Sequence, residues 1–489
     1  MRTTRLLTGA VLLTTAMNAS AQRPPAAAIT AVQAARIDSV IRFEMQLRGI
    51  PGAAVAVVDS GRFVFKRAYG TANLETETPV EVDAVFELAS VTKQFTAAAI
   101  MLLVEEGKVG LDTPISGYIA DTPPEWSGIT VRHLLTHTGG LAINALPRYQ
   151  ESALLNIRTP AAWEDVRQQP MRFATGEQGW YSDAGYFLLG LIIEKASGET
   201  YRAFMKRRIF DPLRMTSTSI LDKARVLKKR VPTYMIRNGE LQNWRRDWDH
   251  EVPSFFGIFS TLDDLAKWDG ALRGNTLLQA GTLQQMWTPA KLNNGQFARV
   301  LDRLYGFGFE LYDVRGRRTV GHGGASGTYV LRFVDEPLSI TVLTNLDATS
   351  GGRHHALMAR TIAGALRPEY RPANLLAPQA DPNPGTTTAV QTLLEAIIAN
   401  RDAAVMSPAY RTWYATALGF RAFYGGLLRG VTGLKFLATD DISGRTQWGG
   451  EPLTRISRTG DQAGRSRSGR VDYWGDFETA PVSLAACVW

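Results

Sequence analysis

Ser90-Val91-Thr92-Lys93 is the only Ser-x-x-Lys in the chain. On a helix, residues three apart share a face, so this spacing lets a hydroxyl and an amine meet. A serine hydroxyl is nearly inert at neutral pH and needs an adjacent base; a desolvated lysine can serve. With Ser90 at a helix start, backbone N–H groups and the positive dipole end face a developing oxyanion. The same four residues also suit a solvated surface helix, so the neighbours decide. Tyr181-Ser182-Asp183 stands just before a helical segment, and Gly321-His322-Gly323-Gly324 just before a strand.

Other chemistries find less support. No Gly-x-Ser-x-Gly is present; Gly324-Ala325-Ser326-Gly327-Thr328 fails at its last place. No His-Glu-x-x-His occurs, and the adjacent His354 and His355 are expected in solvent, their side chains diverging on a helix. The single cysteine, Cys487, can form neither an internal disulfide nor a cysteine zinc site. No metal or cofactor is expected. His133 and His137, one helical turn apart, read as structural, orienting the Thr138-Gly139-Gly140 turn. The basic run Lys223, Arg225, Lys228, Lys229, Arg230 reads as a solvated insert ahead of an attractor for anionic substrate. Trp244, Trp248, Phe255 and Phe256 either line an acyl pocket or belong to the core.

These residues need elements to hold them. Helical periodicity covers Ala31–Arg48, and a hairpin follows, Ala53–Val58 and Arg62–Ala68 around Asp59-Ser60-Gly61. Ser90–Glu106 reads as a helix stopped by Gly107, and Ala184–Lys195 as another, capped by Asp183 and stopped by Gly198. Asp263–Arg273 is a third helix; Thr328–Val334 and Ile340–Asn345 are strands. Strands at both ends with helices between them predict an α+β domain with an antiparallel sheet.

Together these motifs resemble the serine β-lactamase and penicillin-binding superfamily, in its class C-like branch of β-lactamases, D-stereospecific peptidases and carboxylesterases. The resemblance covers roughly Ala31 to Arg367 and extends to Leu134–Leu141 and Tyr305-Gly306-Phe307-Gly308-Phe309. It implies an antiparallel sheet flanked by helices plus an all-helical subdomain. It also implies Ser90 as the acylated nucleophile, Lys93 as its base, and Tyr181 as the phenol that relays protons. By the same resemblance His322-Gly323-Gly324 stands for the family's Lys-Thr-Gly on a pocket-lining strand. The N–H groups of Ala325 and Ser90 would form the oxyanion hole, and the bare backbone at Gly323 and Gly324 would let substrate lie close. Two positions depart from the family: Asp183 replaces an asparagine and His322 a lysine. Ionised Asp183 can only accept hydrogen bonds, and beside Lys93 it favours the charged amine; its plainer reading is a helix cap. Neutral histidine holds a substrate carboxylate less strongly than an ammonium would. An ester or amide hydrolase is therefore expected ahead of a β-lactamase or D-Ala-D-Ala carboxypeptidase. A cell-wall sensor without turnover is the reading of another class, and the presence of Ser90, Lys93 and Tyr181 together argues against it.

Composition bounds the rest. Of 489 residues, 45% are hydrophobic and 20% charged, enough for a sizeable core and against disorder. A net charge of +8 without a basic block argues against a nucleic-acid partner; a small-molecule substrate is expected. Arg2 and Arg5, the apolar run Leu6–Leu13 and Ala19-Ser20-Ala21 read as a signal peptide, residues 1–21, shorter than a membrane span. An exported, periplasmic mature chain starting at Gln22 is expected, with its hydrolase domain over residues 22–367. Prolines mark residues 368–386 as a linker. Residues 387–489 read as a small C-terminal α+β domain, a candidate module for binding a further partner.

Overall fold

The computed structural model describes residues 28–142, 156–157, 159–222, 224–237, 240–244, 249–301, 303–314, 316–348 and 354–370, isolated positions between 388 and 399, and strand segments beyond 433. Helix α1 (Ala31–Arg48) fills its expected range because both ends are chemically marked. Thr30 and Gln33 close a capping box, and Gly49 takes φ 65° to stop the helix. The expected hairpin follows as β1 (Gly52–Asp59) and β2 (Arg62–Asn73). Asp59 pairs with Arg62, leaving Ser60 and Gly61 at φ 51° and 76°, a turn whose twist suits antiparallel strands.

The far end of the chain returns to this hairpin. The short β3 (Thr78–Pro79) and then β4 (Arg299–Val300), β5 (Arg303–Tyr305), β6 (Glu310–Asp313), β7 (Arg318–Gly324), β8 (Thr328–Phe333) and β9 (Leu338–Thr344) complete a nine-stranded sheet. Its order is β4-β5-β6-β7-β8-β9-β1-β2-β3, and every pairing is antiparallel. Ala53 lies opposite Thr344 and Asp59 opposite Leu338, so the first strand and the last close the sheet centre. Successive residues of β1 serve opposite faces: Ala54 and Ala56 join one apolar cluster, Val55 and Val57 another. The sheet is buried on both sides, which is why its central strands are continuous apolar runs.

Helices α2 (Thr92–Glu105), α3 (Asp183–Ser197) and α4 (Leu262–Gly274) build the cluster on one face; α1 and α5 (His354–Leu366) cover the other. The helical part also carries short strands, with Ile258–Ser260 between Phe86–Glu87 and Ser219–Ile220. Three expectations need correction. The helix expected from Ser90 starts as a 3-10 turn, Ala89–Val91, and becomes α-helical only at Thr92. Asp183 is not the cap of α3: Ser182, in extended backbone, accepts from the Gly185 N–H at 3.1 Å. His354 and His355 are buried, not solvated, because α5 packs on the sheet; His354 Nε2 meets Thr344 Oγ1 at 2.8 Å. Pro368–Tyr370, placed at the head of the linker by their proline, form a 3-10 turn whose Tyr370 ring stacks on Phe333 at 4.8 Å.

Gly433–Asp440, Leu453–Thr459, Arg470–Tyr473 and Cys487–Val488 form a separate four-stranded antiparallel sheet. The signal peptide, Lys223, Trp248 and the stretch 371–387 lie outside the described residues. No helix of the described residues is long and apolar enough to cross a membrane.

Candidate active site

The 3-10 turn that carries Ser90 is held in a strained shape. Ala89 sits at φ 45°, a left-handed conformation that costs a residue with a Cβ roughly 1–2 kcal/mol. The turn is fixed on either side: Leu88 N–H donates to Ile258 O at 2.8 Å, and Thr92 Oγ1 accepts from Ile258 N–H at 3.1 Å. The loop after β7 is stitched to the same segment. Ser326 Oγ donates to Glu87 O at 2.6 Å and Thr328 Oγ1 to Leu88 O at 3.0 Å. Ser90 and Ala325, both half-buried, therefore belong to segments tied to one another.

The glycines of β7 serve that junction. A Cβ on Gly324 would lie 2.2 Å from Leu88 O, and one on Gly323 would lie 2.8 Å from His355 Nε2. Gly324 is thus small because the strand packs on the Ser90 turn, and Gly323 because it packs on the His355 ring of α5. Gly308 does the same work at the next turn of α2: at φ 78° it lies against Lys93 O, where a Cβ would come within 2.6 Å.

Lys93 is fully buried, and three groups surround its Nζ. Asp183 Oδ1 lies at 2.7 Å, Phe255 O at 2.9 Å and Ser90 Oγ at 3.2 Å. A neutral amine donates two protons and keeps one lone pair. With Asp183, Phe255 O and Ser90 Oγ all within hydrogen-bond distance, a Lys93 that has given up a proton can accept from the Ser90 hydroxyl. Asp183 thus pairs with Lys93 and does not act as a cap. Phe255 contributes its carbonyl, a contact 162 residues away that no sequence pattern signals. The Phe255 and Phe256 side chains are buried against His250, which makes them core.

Tyr181 completes the group. Its ring centroid is 4.7 Å from Lys93 Nζ, and Ser90 is a neighbour that pulls its phenol pKa down. Burial, reinforced by the Asp183 charge, holds the phenol well above its ordinary range despite the Ser90 contact, so it stays protonated at neutral pH.

His322 does not line the pocket as a substrate anchor. It is buried, its Nδ1 donating to Gly323 O at 2.8 Å and its Nε2 accepting from Tyr305 OH at 2.9 Å. Burial pushes its pKa down to about 4, outweighing the attraction of Glu310, so the ring is neutral. The structure therefore gathers Ser90, Lys93, Tyr181 and Asp183, sets Ala325 and Gly323 at their edge, and turns His322 inward. No group of three or more metal-ligating side chains occurs among the described residues.

A family model described as beta-lactamase matches residues 37–365. The chain belongs to the beta-lactamase family. It is accordingly an enzyme of the serine hydrolase class. Penicillin-binding protein 4* of Bacillus subtilis is 29% identical over 60% of this chain and 67% of its own length. Esterase EstB of Burkholderia gladioli is 32% identical over 41% of this chain; the match spans 55% of that esterase. Among solved structures, the octameric penicillin-binding protein homologue from Pyrococcus abyssi superposes with a TM-score of 0.59 at 23% identity. That superposition covers 90% of this chain and 96% of the homologue. EstCE1, a hydrolase with promiscuous acyltransferase activity, gives 0.58 at 21% identity over 68% and 98%. These two likenesses show the fold, and the family match places the Ser90 turn, Tyr181 and the His322 strand within one domain.

Proposed function

We propose that the protein is an exported serine hydrolase that forms an acyl-enzyme on Ser90 and cleaves a small ester or amide. The observation that carries this reading is Lys93 Nζ, held by Asp183 and Phe255 O with its third position 3.2 Å from Ser90 Oγ. Ser90 Oγ attacks the substrate carbonyl carbon while its proton passes to Lys93. The carbonyl oxygen becomes an oxyanion between the Ser90 and Ala325 N–H groups. The bond to the leaving group then breaks, and that group takes a proton from Tyr181, which Lys93 re-protonates. Water attacks the acyl carbon, its proton passing to Tyr181 as the Tyr181 proton passes to Lys93; the intermediate then collapses and Ser90 Oγ leaves, taking a proton back from Lys93.

The inward, neutral His322 favours substrates with no carboxylate beside the scissile bond, hence esters over β-lactams or D-Ala-D-Ala peptides. The likeness to an esterase supports the same preference. Export rests on Arg2 to Ala21, and a mature chain beginning at Gln22 checks it. The decisive experiment is mass spectrometry after incubation with a fluorophosphonate, a penicillin and p-nitrophenyl esters. A covalent adduct confined to Ser90, lost together with ester turnover in Ser90→Ala, is expected. An adduct on Ser326 or full activity in Ser90→Ala would overturn the assignment; Ser326 is buried and already donates to Glu87 O.

A further inference from the structure

His137 lies beside Tyr181 and holds the backbone on both sides of it. Its carbonyl accepts the Trp180 N–H at 2.8 Å, and its Nδ1 accepts the Ser182 N–H at 3.1 Å. Between those two anchors the Tyr181 ring packs on the imidazole, centroid to centroid 4.5 Å. The Tyr186 and Tyr305 rings enclose the imidazole further, at 5.0 and 4.7 Å. To present carbonyl and ring to the same strand of chain, His137 adopts φ 60°, the left-handed region. The ring is buried, and burial together with Lys93 and His322 keeps it neutral, so Nδ1 remains an acceptor.

We propose that His137 is a positioning residue for Tyr181, fixing the phenol over the Ser90–Lys93 pair by gripping the Trp180 and Ser182 amides around it. This rests on the reading of Ser90 as nucleophile and Tyr181 as proton relay. His137 touches no reacting atom; it acts through the segment it holds. Thr138-Gly139-Gly140, the turn it was expected to orient, is the neighbour of this function and not its object. Ser182, whose amide it binds, also caps α3 and precedes Asp183, so one imidazole sets the entry of all three side chains into the site.

The two contributions of the ring separate by substitution in the full-length chain. His137→Phe keeps the ring packing and removes the acceptor. His137→Asn keeps an acceptor near the place of Nδ1, and asparagine tolerates the left-handed backbone. Active sites are titrated with the fluorophosphonate, and kcat and KM for p-nitrophenyl acetate are expressed per labelled Ser90. For His137→Phe, kcat per site is expected to fall on the order of 10²-fold, as for a misplacement of about 1 Å, with KM changing by less than about threefold. His137→Asn is expected to recover most of that loss. Unchanged kcat per labelled site in His137→Phe, or equal losses in both variants, would overturn the proposal, because a purely structural residue lowers melting temperature and site titre alike. If His137→Phe does not fold, His137→Asn decides alone: kcat within about tenfold of the parent supports the grip, a larger loss overturns it. Failure of the parent chain to label at Ser90 would overturn the nucleophile assignment instead.

Discussion

Two basic side chains are buried near the Tyr181 ring, Lys93 Nζ at 4.7 Å and the His322 ring at 6.2 Å, and they differ in what their nitrogens meet. Lys93, at the start of α2, is buried with two partners that accept its protons and a third position left facing Ser90 Oγ. His322, on β7, is equally buried, but both ring nitrogens are spent on the protein, one on Tyr305 and one on Gly323 O. Desolvation alone does not make a base. The amine contacts the Ser90 hydroxyl, whereas both imidazole nitrogens meet other groups of the protein.

Three substitutions probe that contrast. Lys93→Met removes the amine and keeps the apolar stem; kcat/KM for p-nitrophenyl acetate should fall about 10²–10⁴-fold, the usual contribution of a positioned base. Asp183 retains 30% of its side-chain surface exposed, so water can hydrate the widowed carboxylate and the variant should still melt cooperatively. Activity within tenfold of the parent would show that another group, His322 included, can replace the lysine.

Asp183→Asn is expected to act less strongly and in a different variable. The carboxylate 2.7 Å from Lys93 Nζ favours the ammonium, and kcat/KM rises as that proton leaves. Replacing it with an amide should move the rise to lower pH, because the opposite charge that holds the proton on the amine is gone. The amide also adds a donor for a substrate carbonyl, so acylation by a chromogenic cephalosporin should increase. An unchanged pH–rate profile with no gain in acylation would deny Asp183 any influence on the amine.

The smallest effect on turnover is expected at His322. His322→Gln should change ester kcat/KM by less than tenfold, or about 1.4 kcal/mol of barrier. Its signature lies in stability against pH. An unfolded histidine takes up a proton near pH 6.5, whereas folded His322 resists it until about pH 4. Between those values the unfolded state binds more protons, so stability is full above pH 6.5 and falls as pH drops toward 4. The shift corresponds to about 3 kcal/mol, and His250, held down to about 3 by burial, adds to the same trend. His322→Gln should flatten the melting-temperature profile across that window. A slope as steep as the parent's would mean that His322 is already charged in the folded protein.

Local chemistry was enough for the sequence to determine the helix ends at Thr30 and Gly49, the Ser60-Gly61 turn, and the two motifs that carry Ser90, Lys93 and Tyr181. Capping, positive φ and i,i+3 spacing act within a few residues, and a linear reading captures them. It misplaced the cap of α3 by one residue because Ser182 and Asp183 are both good caps, and Lys93, distant in sequence, claims the carboxylate. It put His354 and His355 in solvent because a histidine pair carries no label for the sheet face that covers it. Tertiary structure alone decided the rest: the Phe255 carbonyl on Lys93, the inward turn of His322, the Gly324 backbone against Leu88, and His137 around Tyr181. Each is set by a backbone group or a burial that arises only when segments far apart in the chain close around one another, and backbone groups are the same at every position of a sequence.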